Sequence, residues 1–168
     1  MLSDGHHGCG ASIAVRGRCH HPFMGNLYAY FTAQDDVAAA AFETGTEAAG
    51  LPTVDGKGID PYVCVGNVQA LLVGSTYEDV IAQPRFGQLV NAVSEEGPWV
   101  STLTDQLRDA LADAAPERLA QVAGSWSRTE EFNGHAAPAV LAGFLDRLAD
   151  LARRARQRDH GLYCWVSL

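Results

Sequence analysis

APAVLAGFLDRLADLARRARQRDHGLYCWVSL, residues 137–168, contains two opposed periodicities in one continuous stretch. In its first part Leu141, Phe144, Leu145, Leu148, Leu151 and Ala155 recur at intervals of three and four, the spacing that lays apolar side chains along one face of a helix. Asp159, His160 and Gly161 end that pattern. Leu162, Cys164, Val166 and Leu168 then alternate with Tyr163 and Trp165, a period of two with apolar side chains on both faces. A strand that is apolar on both faces belongs inside a sheet that is covered on both sides. The fold class that follows is α/β in the broad sense, of α+β type: a small sheet covered by amphipathic helices, in a helix-rich single domain.

The rest of the chain supplies partners for that strand. Leu27 to Phe31, rich in aromatics, reads as a strand and PWVSTL, residues 98–103, as another, so the expected sheet comprises 27–31, 98–103 and 162–168. Asp35 and Asp36 suit the start of a helix that Gly45 would end. TEAAGLPTVDGKG, residues 46–58, reads as loop. Asp60 then suits an N-cap, with Pro61 in the first turn and Gly74 as the stop. Ser75 and Glu78 have the spacing of a capping box for a short helix that ends before Pro84. Leu103, Leu107 and Leu111 form one helical stripe, and Pro116 opens a further helix ending near Gly124.

A chain of 168 residues suits one core, and 47% hydrophobic with 19% charged residues excludes a wholly disordered chain. The net charge is −8, and Lys57 is the sole lysine. Such a surface repels nucleic acid and anionic membrane, so neither is expected as a partner. The one dense basic cluster, Arg153, Arg154, Arg156 and Arg158, is explained by the negative end of the helix that carries it. No apolar run approaches the roughly 20 residues that span a bilayer, and the N-terminus lacks a secretory apolar stretch. The location expected is therefore the cytoplasm, where Cys64 and Cys164, both in apolar surroundings, would be reduced and buried.

Several landmarks in their order along the chain, MGNLYAYF at 24–31, ALLVG at 70–74, LTDQLRDAL at 103–111, the long last helix and HGLYCWV at 160–166, resemble the YfbM-like family of small bacterial proteins. The resemblance extends from Met24 to the end. It implies an α/β-type fold without an assigned reaction, so no catalytic residue is carried over from it. It also implies a start at Met24–Gly25, which makes residues 1–23 a disordered leader or one included by a misplaced start, and 24–168 the globular domain.

Three segments offer chemistry. HHGCGASIAVRGRCHH, residues 6–21, could supply zinc with His6, Cys9, Cys19 and His21, but neither half has the spacing of common zinc sites, and the leader reading is preferred. DGKGID, residues 55–60, places Lys57 beside Asp60 ahead of a helix start, where an anion could sit; a tight turn before a capped helix explains the same residues. WSRTEEFNGH, residues 126–135, gathers Trp126, Arg128, Glu130, Glu131 and His135, a mixture able to do acid–base work or binding if it lines a cleft; a structural role for the loop is the alternative. A thiol nucleophile, Cys64 or Cys164 with His160, is discounted because apolar surroundings keep a thiol protonated.

With no nucleophile elbow, zincin or dinucleotide motif present, no cofactor is implied. The expected function is binding of a protein partner, as a regulator, an immunity-type inhibitor or an accessory subunit. The alternative is a small-ligand protein or enzyme with a polar cleft around Lys57, Arg128, Glu130 and His135. Deleting residues 1–23 is expected to leave the fold intact; a truncated chain without a cooperative denaturant melt would contradict the leader reading.

Overall fold

A computed structural model describes residues 26–42, 52–91 and 97–167. The elements are β1 (Leu27–Ala33), α1 (Asp36–Ala40), β2 (Val54–Asp55), α2 (Val63–Val73), α3 (Tyr77–Ile81), β3 (Trp99–Thr102), α4 (Asp105–Asp113), α5 (Pro116–Trp126), a 3-10 turn (Glu130–Phe132), α6 (Pro138–Gln157) and β4 (Gly161–Ser167). The four strands form one antiparallel sheet in the order β2-β1-β4-β3, so the fold is α+β. The doubly apolar β4 is an inner strand, paired with β1 from Leu27↔Ser167 to Ala33↔Gly161 and with β3 from Trp99↔Val166 to Thr102↔Tyr163.

Alternation along β4 divides the core in two. Leu162, Cys164 and Val166, with Tyr30 of β1, join the larger cluster formed with α2, α4, α5 and α6. Within it Tyr30 meets Phe144 edge-on at 5.5 Å, and its hydroxyl donates to the Ile59 carbonyl at 2.6 Å. Tyr163 and Trp165 join Phe31, Ala33, Ala39 and Val100 on the other face, where Phe42 stacks on Phe31 at 3.8 Å. On α6 the whole stripe of Leu141, Phe144, Leu145, Leu148, Leu151 and Ala155 is buried.

The ends of elements depart from the sequence reading for identifiable reasons. β1 runs on to Ala33 because β4 continues to pair with it, whereas β3 is shorter than 98–103 and Leu103 retains only a backbone bond to Leu162. β2 lies in the stretch read as loop; two residues are too few to show a period. Helix α1 stops at Ala40, with Asp35 as its cap accepting from the Ala38 N–H at 2.8 Å; Gly45 lies outside the described residues. The capping box is Thr76–Asp79, one residue beyond Ser75–Glu78. Gly74 ends α2 in the left-handed conformation, and the N–H groups of Gly74 and Ser75 both return to the Ala70 carbonyl. The Ser75 N–H is thus still engaged in the exit of α2, and Thr76, in an extended conformation, is the residue that caps α3. Helix α5 continues past Gly124 to Trp126, and Leu103 is buried but precedes α4.

Polar side chains close the helical layer. Buried Gln69 of α2 donates to Gln83 and Gln106, while its carbonyl accepts from Thr104 at 2.7 Å, and Thr104 in turn caps α4 by accepting from the Leu107 N–H. Arg153 of α6 donates to the carbonyls of Ala112 and Ala114 at the C-terminus of α4, so part of the basic cluster serves a neighbouring helix end as well as its own. No helix among the described residues is long and apolar enough to cross a membrane. Leu148 is fully buried, so Leu148→Ala should cost about 2–5 kcal/mol in denaturant melts, and a loss near zero would contradict its place in the core.

Candidate functional site

An open cleft of about 520 Å³ lies where the end of β1 meets the beginning of β4. Antiparallel pairing puts Ala33 opposite Gly161, so the residues that follow β1 and those that precede β4 emerge together. Asp35, Asp36 and Val37 enter from the first side; Asp159, His160, Gly161 and Tyr163 enter from the second. Asp105 and Arg108 of α4 and Arg85, beyond α3, complete the wall.

These groups hold one another in place. Asp36 receives two bonds from the Arg85 guanidinium, at 2.7 and 3.2 Å, and a third from the Tyr163 hydroxyl at 2.8 Å. Arg108 is held by Asp109 at 2.9 Å and lies 3.3 Å from Asp105, and it also donates to the His160 carbonyl at 3.0 Å. The two guanidiniums are thus committed to carboxylates within the protein. Asp159 adopts a left-handed conformation at φ 55°, where an Asp is tolerated better than most residues. His160 donates its backbone N–H to the Ala155 carbonyl, and its buried Nδ1 has no hydrogen-bond partner among the described residues.

The same contacts set the ionisation. The bonds from Arg85, helped by Tyr163 and opposed by partial burial, hold the Asp36 carboxyl below its ordinary range. Burial, and then donation to Asp36, push the Tyr163 hydroxyl up to about 12. Arg85 is raised chiefly by its bonds to Asp36, and Arg108 by those to Asp109. At neutral pH Asp36, Arg85 and Arg108 are therefore charged and Tyr163 is uncharged.

The residues singled out in the sequence lie elsewhere. Arg128, Glu130 and Glu131 do line a cleft, of about 600 Å³, together with Val63, Asn67, Tyr77 and Thr129; Glu131 accepts from the Asn67 amide at 3.0 Å. Trp126 is a correction: it is fully buried at the end of α5, against Phe132 at 5.2 Å and Phe144 at 6.1 Å, and serves the core. Lys57 is exposed in a turn, with its backbone N–H bonded to Asp55, and His135 is exposed beyond the 3-10 turn; neither lines that cleft. Asp60 is not the N-cap expected from the sequence, since α2 starts at Val63 with Tyr62 as its cap residue; from two positions earlier its carboxylate accepts from the N–H groups of Tyr62 and Val63 at 2.9 and 2.7 Å, which accounts for it structurally.

His6, Cys9, Cys19 and His21 lie outside the described residues, as do Met24 and the proposed leader. Among the described residues no group of three or more His, Cys, Asp or Glu side chains could hold a metal. Cys64 and Cys164 are free, buried thiols, both raised chiefly by burial, Cys64 to about 12. The cleft residues Asp36, Arg85, Arg108 and Tyr163 escaped the sequence reading because 127 positions separate Asp36 from Tyr163. The local signals, Asp35–Asp36 and Asp159–His160–Gly161, read in the sequence as helix ends.

Comparison with family models, with curated proteins and with solved structures finds no match to this chain. The cleft itself yields a prediction. Asp36 has a depressed folded pKa, so its stabilisation is complete above the ordinary carboxylate pKa and is lost as pH falls through the lower, folded value. Asp36→Asn should cost roughly 0.5–1 kcal/mol at pH 7, because the pair is half-exposed, and the gap to the parent protein should shrink below about pH 4. Urea melts between pH 2 and 7 check this; a gap independent of pH would contradict it.

Proposed function

We propose that this chain acts by binding a protein partner, in a regulatory, inhibitory or accessory role, and that the cleft between β1 and β4 is the point of contact. The observation that supports this reading is the ionisation of the cleft. Each resolved shift there moves a pKa further from neutral pH, which keeps Asp36, Arg85 and Arg108 charged and Tyr163 uncharged. Groups held so firmly in one protonation state are poor proton donors or acceptors near pH 7 and good fixed contacts. Val37, 82% exposed although apolar, lies in the lining and offers contact area beside the charges.

Kinship with the YfbM-like proteins and a cytoplasmic location belong to the same proposal, the first on the landmarks from Met24 onward and the second on the buried thiols of Cys64 and Cys164. A second reading, a small-ligand protein or enzyme, is favoured by the cleft that joins Arg128, Glu130 and Glu131 to Asn67 and Tyr77. Lys57 and His135 drop out of it.

The test is purification from the native host's extract with the parent chain, Val37→Arg and, as a control outside the cleft lining, Val140→Arg, which replaces another exposed valine. The expected result is a discrete partner at fixed stoichiometry with the parent and the control, reduced at least ten-fold by Val37→Arg. Equal recovery with all three chains, or no discrete partner, would overturn the proposal.

A further inference from the structure

We infer that a second site, at the junction of β2 and α6, takes a small anion of the phosphate class; it stands apart from the cleft between β1 and β4. There Thr53 and Val54 lie across a cavity of about 170 Å³ from Arg147, Asp150, Leu151 and Arg154. The four α6 residues recur at three and four, so one stripe of the helix faces the start of β2. Val54 and Leu151 belong to the core and give the cavity a fixed apolar wall.

The charges in the lining are unlike those elsewhere on the molecule. Carboxylates outnumber basic side chains on this chain by 20 to 12, and Arg85, Arg108, Arg153 and Arg156 each engage one. Arg147 and Arg154 engage none among the described residues and make no hydrogen bond there. The carboxylate in the lining, Asp150, is already held by Arg153 at 2.7 Å. Arg154 lies in the last turn of α6, where the helix dipole favours a cation; Arg147, two turns earlier, is beyond the reach of that field. The Thr53 hydroxyl also has no hydrogen-bond partner among the described residues. Two guanidiniums and a hydroxyl therefore border one small cavity with their donors unsatisfied by the protein.

The donor set selects the ligand. A guanidinium meets phosphate oxygens with paired N–H groups, and a dianion balances both arginines where a carboxylate balances one. Residues 147–158 carry five arginines against one aspartate, so the local field is positive although the chain as a whole is at −8. The cavity is well below the roughly 300–1,000 Å³ of pockets for drug-sized ligands, which suits free phosphate or the phosphate group of a small ester.

Calorimetric titration of the untagged full chain with inorganic phosphate, glycerol phosphate and acetate, at constant ionic strength, tests the inference. At least one of the two phosphates should bind one to one and at least ten-fold more tightly than acetate; which of the two binds more tightly separates the free ion from the ester as the source. Arg147→Gln combined with Arg154→Gln should weaken that binding at least ten-fold while leaving the denaturant midpoint unchanged, because neither side chain makes a bond within the described residues. Arg158→Gln, in the same basic run but outside the lining, should leave binding unchanged. No binding of either phosphate, or equal binding by the double variant, would overturn the inference. So would an equal loss in Arg158→Gln, which would trace the attraction to the diffuse charge of the helix end.

Discussion

β4 is paired along both edges and buried on both faces, and the rest of the molecule is arranged around that condition. A strand in this position has no solvated side, so every backbone N–H and C=O needs a partner strand and every side chain needs a covering layer. β1 and β3 supply the hydrogen bonds. Helix α6, which runs directly into β4, supplies with α2, α4 and α5 the cover for Leu162, Cys164 and Val166. The opposite face, with Tyr163 and Trp165, is packed by Phe31, Val100 and the short helix α1.

The cleft is a consequence of the same pairing. Because β1 ends where β4 begins, the turn that starts α1 and the turn that ends α6 lie side by side, and each carries aspartates for local reasons. Asp35 caps α1, and Asp159 occupies a left-handed position that few side chains tolerate. Arg85 and Arg108 come from distant segments and engage Asp36, Asp105 and Asp109, so the convergence stays charged and open. Tyr163 links core and cleft in one side chain: its ring lies 5.7 Å from that of Phe31, and its hydroxyl reaches Asp36.

Legibility followed the range of the interactions. The stripe of α6, the alternation of β4, the aromatic run of β1 and the glycine stop at Gly74 depend on residues within a few positions of one another, and all were readable. The capping box was misplaced by one residue because two adjacent hydroxyls, Ser75 and Thr76, are chemically alike, and the backbone leaving Gly74 selects between them. β2 was invisible because pairing with Ala29 and Tyr30 alone defines it. Arg128, Glu130 and Glu131 were read as neighbours and do share a cleft, whereas the place of Trp126 in the core depended on Phe144, 18 positions away.

The sequence by itself determined the class of fold, the inner position of the last strand and the burial of the last helix, since periodicity is local and the hydrophobic effect acts on whichever face it marks. Tertiary structure alone decided the order β2-β1-β4-β3, the exclusion of Lys57 and His135 from the cleft of Arg128, and the meeting of Asp36, Arg85, Arg108 and Tyr163. Those last contacts join segments far apart along the chain. Their partners are chosen by strand pairing and helix packing, which place ordinary Asp, Arg and Tyr residues together without leaving a pattern at any one of their positions.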